Sequence, residues 1–293
     1  MKNPKKQTKT HLILFAIAAF MVILFSACKE GCRNCKDCKD ITTREVSITN
    51  PIVGVIFDGP WDVNIVQDSL SNSAVIEYCS SHENQIVAEL LPNGYLHLKV
   101  RWGNYHHHRD VLRANIKATS LEKIEASGAT SIRTTGYFGN INNISLSGAS
   151  DINGLLGAGT STMLTLTGAS TIKDFSFTGN NMNAELSGAS DLKCTNLVLD
   201  YFTADCSGAS TMRSWGGNIT KASFNGSGAS DFETLEMRLD DLDIDLSGAS
   251  NATVLVNNVI KGKLTGASTL KYKGAANVSG VSTSGSSNII CLN

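Results

Sequence analysis

Three groups of residues have types and spacings that could carry chemistry. Cys28, Cys32, Cys35 and Cys38 include a C-x2-C-x2-C run, the spacing of a zinc or iron–sulfur ligand set. Trp102, Tyr105, His106, His107 and His108 combine aromatics with imidazoles, the side chains that stack on sugars or coordinate metals. Asp240, Asp241, Asp243 and Asp245 form an acidic run in which the last three project from one face of a strand, as cation ligands or a dock for a basic partner would.

Each group also has a plainer account. Cys28 follows Lys2, Lys5, Lys6 and Lys9, an apolar run over residues 12–25, and the small residues Ser26 and Ala27. That order is a secretory signal, and its last four residues resemble a bacterial lipobox in which Cys28 is lipidated and opens the mature chain. Lys29 stands where lipoproteins of the inner membrane carry aspartate, which favours the outer membrane. With Cys28 consumed by lipid, three thiols remain in an oxidising setting that favours disulfides over metal thiolates. Adjacent histidines on an extended segment point to opposite faces, which weakens a metal site at His106, His107 and His108. These residues, with Trp102 and Tyr105, are kept as candidate glycan contacts. No Walker loop, nucleophile elbow, zinc-protease motif or dinucleotide fingerprint occurs, so no cofactor is expected. The formal charge of −1 gives no electrostatic case for nucleic acid.

The elements that position these groups are set by a repeat. Ser/Thr-Gly-Ala-Ser/Thr recurs with its glycine at Gly128, Gly148, Gly168, Gly188, Gly208, Gly228 and Gly248, and further copies surround Gly266 and Gly285. A fixed pitch of this length means stacked copies of one unit, each burying its apolar face against its neighbours. Before the turn, apolar and polar residues alternate, as in Ile144 and Leu146 or Leu164 and Leu166. After it runs a second apolar column of Ile132, Ile152, Ile172, Leu192, Met212, Phe232 and Leu270. Both are half-buried strands, so each unit reads as strand, tight glycine corner, strand. The predicted fold is all-β, a flattened right-handed parallel β-helix of two sheets with about 20 residues per rung. At about 4.8 Å per rung, eight or nine rungs make a rod roughly 40 Å long.

Charge is managed down the columns. Aspartate at 151, 191 and 231 alternates with neutral residues, beside a column containing Arg133, Lys173, Lys193 and Arg213. Aligning the units sets Lys221 beside Asp241 and Lys261 and Lys263 beside Asp243 and Asp245, so the acidic run reads as a surface ion-pair ladder. The expected organisation is a signal peptide over residues 1–27, a Cys-rich tether over 28–40, a non-repeated β-rich region over 41–126 and the repeats over 127–293. Residues 41–293 then make one continuous domain.

Phe57-Asp58-Gly59-Pro60-Trp61-Asp62-Val63-Asn64-Ile65-Val66-Gln67, Asn93-Gly94-Tyr95-Leu96-His97-Leu98 and the serial corners resemble the putative auto-transporter adhesin, head GIN domain family of exported and lipid-anchored Bacteroidota proteins. The resemblance covers residues 41–293. It implies a pectin-lyase-like β-helix without catalytic residues and a role in adhesion. The expected function is therefore a non-enzymatic, membrane-anchored surface or envelope protein that binds a glycan or surface protein through the flat sides of its β-helix. The alternatives are a polysaccharide-active enzyme and a structural envelope component that forms homo-oligomers through its uncapped last rung.

Overall fold

The computed structural model describes residue 38 and residues 40–101 and 111–292. Cys28, Cys32, Cys35, Trp102, Tyr105, His106, His107 and His108 lie outside the described residues. The described residues 40–101 and 111–292 form one compact unit. Of the other, residues 1–39 with 106–110, only Cys38 is described, and it is disulfide-bonded.

The larger unit is a β-solenoid of about 8 turns of roughly 20 residues each. Short alternating runs have one apolar face to bury, and stacking identical runs in parallel lets each column bury against itself. Thus Ile144 pairs with Ile124 on one side and Leu164 on the other. Ile152 pairs with Ile132 and Ile172. Ile132, Ile152, Ile172, Leu192, Met212 and Leu270 are wholly inaccessible to solvent.

The corners form a second ladder inside the first. Gly148, Gly168, Gly188 and Gly208 hold φ between 73° and 77°, a region that side chains with a Cβ rarely adopt. Space is as restrictive as torsion: a Cβ on Gly188 would lie 2.4 Å from the Gly168 carbonyl oxygen. That same carbonyl accepts from the Ala189 amide at 2.7 Å, so close approach is what completes the ladder. The serine two residues past each glycine is buried, and its hydroxyl donates to the carbonyl three residues back. Ser170, Ser190 and Ser210 do so at 2.7 Å, to Thr167, Ser187 and Ser207. Every residue of Ser-Gly-Ala-Ser therefore answers a hydrogen-bonding or space requirement of the corner.

Past the corner the chain bends twice. In the strand Thr171–Leu186 the alternation of buried and exposed side chains resets at Lys173 and Asp174 and again at Asn180 and Asn181. Asp174 takes φ 52° at the first bend. Each such rung thus has three straight runs, where the sequence resolved two strands.

The non-repeated region supplies two more rungs and a cap. Gly54–Gly59 and Asp62–Gln67 pair in parallel with Lys123–Gly128 and Ser131–Thr135. Gly59-Pro60-Trp61 stands in the corner column, with Gly59 paired to Gly128. Tyr95–Val100 and Leu112–Ala118 stack next on these strands. Ile86–Leu90 then folds back antiparallel on Tyr95–Val100 through a turn at Gly94, φ 79°. Ser73–Cys79 and Ile41–Glu45 add antiparallel strands on the adjoining face, and Cys79 is disulfide-bonded. Fully buried Trp61, Tyr78 and Phe57 fill this end. Farther along, Phe224 and Phe232 stack with centroids 4.9 Å apart, and Phe202 meets Phe224 edge-on at 5.9 Å.

Candidate binding face

The run that precedes each corner has its odd-numbered side chains outward, because its even-numbered ones fill the core. Parallel stacking brings the outward residues of successive rungs into files. One file reads Thr165, Glu185, Asp205, Asn225, Asp245 in unbroken register. A second reads Met163, Asn183, Thr203, Ser223, Asp243. A third includes Ser161, Asn181, Tyr201, Lys221 and Asp241.

Two hollows open on this face. One, about 460 Å³, is lined by Glu185, Asp205, Asn225 and Asp245 with the hydroxyl residues Thr167, Ser187, Ser207 and Ser247. Asn225 donates to Asp205 Oδ1 at 2.5 Å. The other, about 360 Å³, is lined by Asn181, Asn183, Tyr201 and Thr203 beside Met163 and Met182. Tyr201 is 54% exposed, and Lys221 Nζ lies 5.8 Å from its ring centroid. Asn183 donates to Met163 Sδ at 3.5 Å, while its Oδ1 is buried without a hydrogen-bond partner. An exposed ring with amides and hydroxyls in register beside it presents the apolar and polar surface that a hydroxylated ring compound requires.

The charged files are partly neutralised in place. Lys261 pairs with Asp243 at 3.4 Å and Lys193 with Asp191 at 2.7 Å. Arg213 grips Glu233 with Nε at 2.6 Å, and this carboxylate holds the guanidinium above its ordinary pKa. Two expected pairs align without closing among the described residues. Lys263 stands opposite Asp245 and Lys221 opposite Asp241, yet neither makes an ion pair, and Lys221 turns to Tyr201 instead. The reason is geometric: a long lysine side chain in solvent gains as much over a ring face as beside a screened carboxylate. Asp231 is met by Asn251 Nδ2 at 2.9 Å, so part of that column is neutralised by amides.

Among the described residues no group of three or more His, Cys, Asp and Glu side chains is arranged to hold a metal ion. Cys194 and Cys206 are buried, which pushes both thiols up to about 12. The acidic run over residues 240–245, read from the sequence as an ion-pair ladder, contributes Asp245 to the first hollow. Glu185 and Asp205 line the same hollow, and Tyr201 lines the second. The signal of the hollows in the sequence was available only after aligning the rungs, because the short runs that line them, such as residues 161–163 and 181–183, lie a full rung apart in the chain.

The family model described as "Putative auto-transporter adhesin, head GIN domain" matches residues 53–276. No curated protein matches the sequence. Among solved structures, a putative adhesin from Parabacteroides merdae superposes with a TM-score of 0.63 at 15% identity, covering 88% of this chain and 99% of its own. A putative lipid binding protein from Parabacteroides distasonis gives 0.61 at 16% identity, over 87% and 98%. A putative adhesin from the same species gives 0.60 at 16% identity, over 86% and 97%. At these identities the likeness is one of fold.

Proposed function

From the premise that this chain belongs to the putative auto-transporter adhesin, head GIN domain family, we propose that it is a non-enzymatic adhesin of the cell envelope that recognises glycans. The observation that carries the reading is the second hollow, where exposed Tyr201 adjoins Asn181, Asn183 and Thr203. A sugar ring would stack on the tyrosine and exchange hydrogen bonds between its hydroxyls and the exposed polar groups beside it. Repetition along the rungs suits a polymer, because each rung displaces the next set of polar groups by about 4.8 Å. Trp102, Tyr105, His106, His107 and His108 would supply further contacts. Lipidation at Cys28 would tether the protein to the outer membrane, with residues 28–40 as the tether.

The test is binding of the purified protein to an array of bacterial and host glycans. Tyr201→Ala is expected to weaken the best ligand about five- to tenfold with an unchanged melting temperature, the loss of one stacking contact. Trp102→Ala with Tyr105→Ala separates a contribution of the 102–108 segment. Absence of glycan binding, or binding untouched by Tyr201→Ala, would refute this assignment. Turnover of an acidic polysaccharide would replace it with the enzymatic alternative. Radiolabelled palmitate incorporation that is lost in Cys28→Ser checks the anchor.

A further inference from the structure

We propose that a second face of the solenoid, the run between the two bends of each rung, binds a neutral linear polysaccharide laid along the rungs. This face is separate from the hollows beside Tyr201 and Asp205 and stands on its own residues. Its first file runs Tyr137, Leu156, Ser176 and Asn196 in register. Phe138, Phe177 and Leu197 fill the core, so the residues before them in the chain point outward. The Trp215 amide donates to the Cys194 carbonyl at 3.0 Å, which sets Trp215 one rung further on, beside Thr195. A second file, Ala158, Thr178, Val198 and Asn218, runs alongside the first.

Large apolar side chains are left to solvent here: Tyr137 is 52% exposed, Leu156 43% and Trp215 56%. The two aromatics stand at the ends of the strip, about 19 Å apart at four rungs of about 4.8 Å each. Between them lie the hydroxyls and amides of Ser176, Thr178, Asn196 and Asn218, none of which makes a side-chain hydrogen bond among the described residues. Elsewhere on the solenoid such groups are committed across rungs, as Asn180 is to Asp200, Asn225 to Asp205 and Asn251 to Asp231. Charge is missing as well. Neither file carries a charged side chain over these rungs, and charge returns at the borders, with Asp174 and Asp200 at the bends and Arg238 beside Asn218 on the next rung.

This pattern selects the occupant. A protein interface gathers its aromatics into one desolvated centre, whereas here polar rungs keep the rings apart. A charged polymer gains nothing from files without charge. A polysaccharide repeats apolar ring faces and hydroxyls by translation, as the rungs repeat, and a neutral one has no charge to desolvate. Stacking on Tyr137 and Trp215 holds one chain at two points, which multiplies the affinity of either contact alone.

Affinity electrophoresis of the full chain, in a detergent without a sugar headgroup, tests the proposal with gels that contain a neutral β-glucan, a neutral mannan or polygalacturonate. Retardation by a neutral polymer is expected, nearly unchanged by salt up to about 0.5 M. Tyr137→Ala or Trp215→Ala should weaken it about five- to tenfold, and the two together at least about thirtyfold, with unchanged melting. Tyr201→Ala should leave that retardation in place. Retardation lost in Tyr201→Ala but kept in the double variant would assign binding to the hollow and overturn this face while the glycan reading stands. No retardation by either neutral polymer, or retardation by polygalacturonate alone, would overturn this face whatever an array shows for the hollow. If a variant fails to fold, oxidative footprinting of the unaltered protein decides the matter. The neutral polymer is expected to protect Tyr137 and Trp215, and equal oxidation with and without it refutes the proposal.

Discussion

At the residue scale the corner glycine is held by two independent constraints, a positive φ and contact with the glycine below it. Gly188→Ala should therefore cost about 2–4 kcal/mol, more than torsional strain alone, because the Gly168 carbonyl cannot retreat without losing the Ala189 amide. Urea denaturation of the variant measures this directly. Gly226 is absent from the corner and has a different cause. A Cβ there would meet Leu246 Cδ2 at 2.8 Å and Phe232 Cε2 at 3.1 Å, so the large ring of Phe232, in a column otherwise of aliphatic residues, uses the space that Gly226 leaves. Gly226→Leu alone should destabilise by about 1–3 kcal/mol through overpacking. Gly226→Leu with Phe232→Leu should recover part of that loss, a favourable coupling that a double-mutant cycle quantifies. Cys194 and Cys206, with thiols near pKa 12, should resist maleimide until the protein unfolds, and mass spectrometry of the labelled protein reads that out.

At the element scale the instructive part is the rung built from Gly54–Gly59 and Asp62–Gln67. Its corner closes on the first repeat through Ser127 Oγ, which donates to Asp58 Oδ1 at 2.5 Å, with Lys99 Nζ 3.1 Å from the same carboxyl group. The Ser127 hydroxyl first, then Lys99, hold Asp58 below its ordinary value of 3.8. A depressed folded pKa stabilises the fold above the unfolded value, and the contribution is lost as pH falls through the folded one. Asp58→Asn should thus lower stability slightly at about pH 7, by less than about 1 kcal/mol because the group is largely solvated, and by less still at about pH 3. Chemical denaturation at both pH values checks the sign. The repeats announced their strands through one period, whereas this rung was not legible as a rung. Gly54 pairs with Lys123, 69 residues away, and a spacing set by the inserted strands has no period to detect. Its strands were legible, since alternation is local; its partners were not. The hollows were hidden for the same reason, because Tyr201, Asn183 and Met163 become neighbours only through the stacking.

At the scale of the whole molecule the solenoid has nearest-neighbour energetics, so its integrity depends on register more than on the number of rungs. Thr171 pairs with Asp191 and Ile172 with Leu192, and the corners at Gly168 and Gly188 are equivalent in torsion and contact. Removing residues 171–190 joins Ser170 to Asp191, sets Leu192 on Ile152 and Gly208 on Gly168, and keeps every column apolar where it must be. That shortened chain should fold, with a single cooperative transition and a melting temperature lowered by only a few degrees, about 2–4 °C per kcal/mol lost. Removing only residues 171–180 brings a bend to the corner position and shifts the ladder by half a turn, so buried columns meet polar ones and the chain should not fold. Circular dichroism and calorimetry of the two deletions give opposite outcomes if the rung is the unit. Equal damage would mean that cooperativity spans the solenoid rather than passing between adjacent rungs. The 20-residue deletion also removes Asn181, Asn183 and Glu185 while leaving Tyr201 and Asp205 in place. A folded protein that loses glycan binding through it would separate what the stack needs to stand from what its face needs to bind.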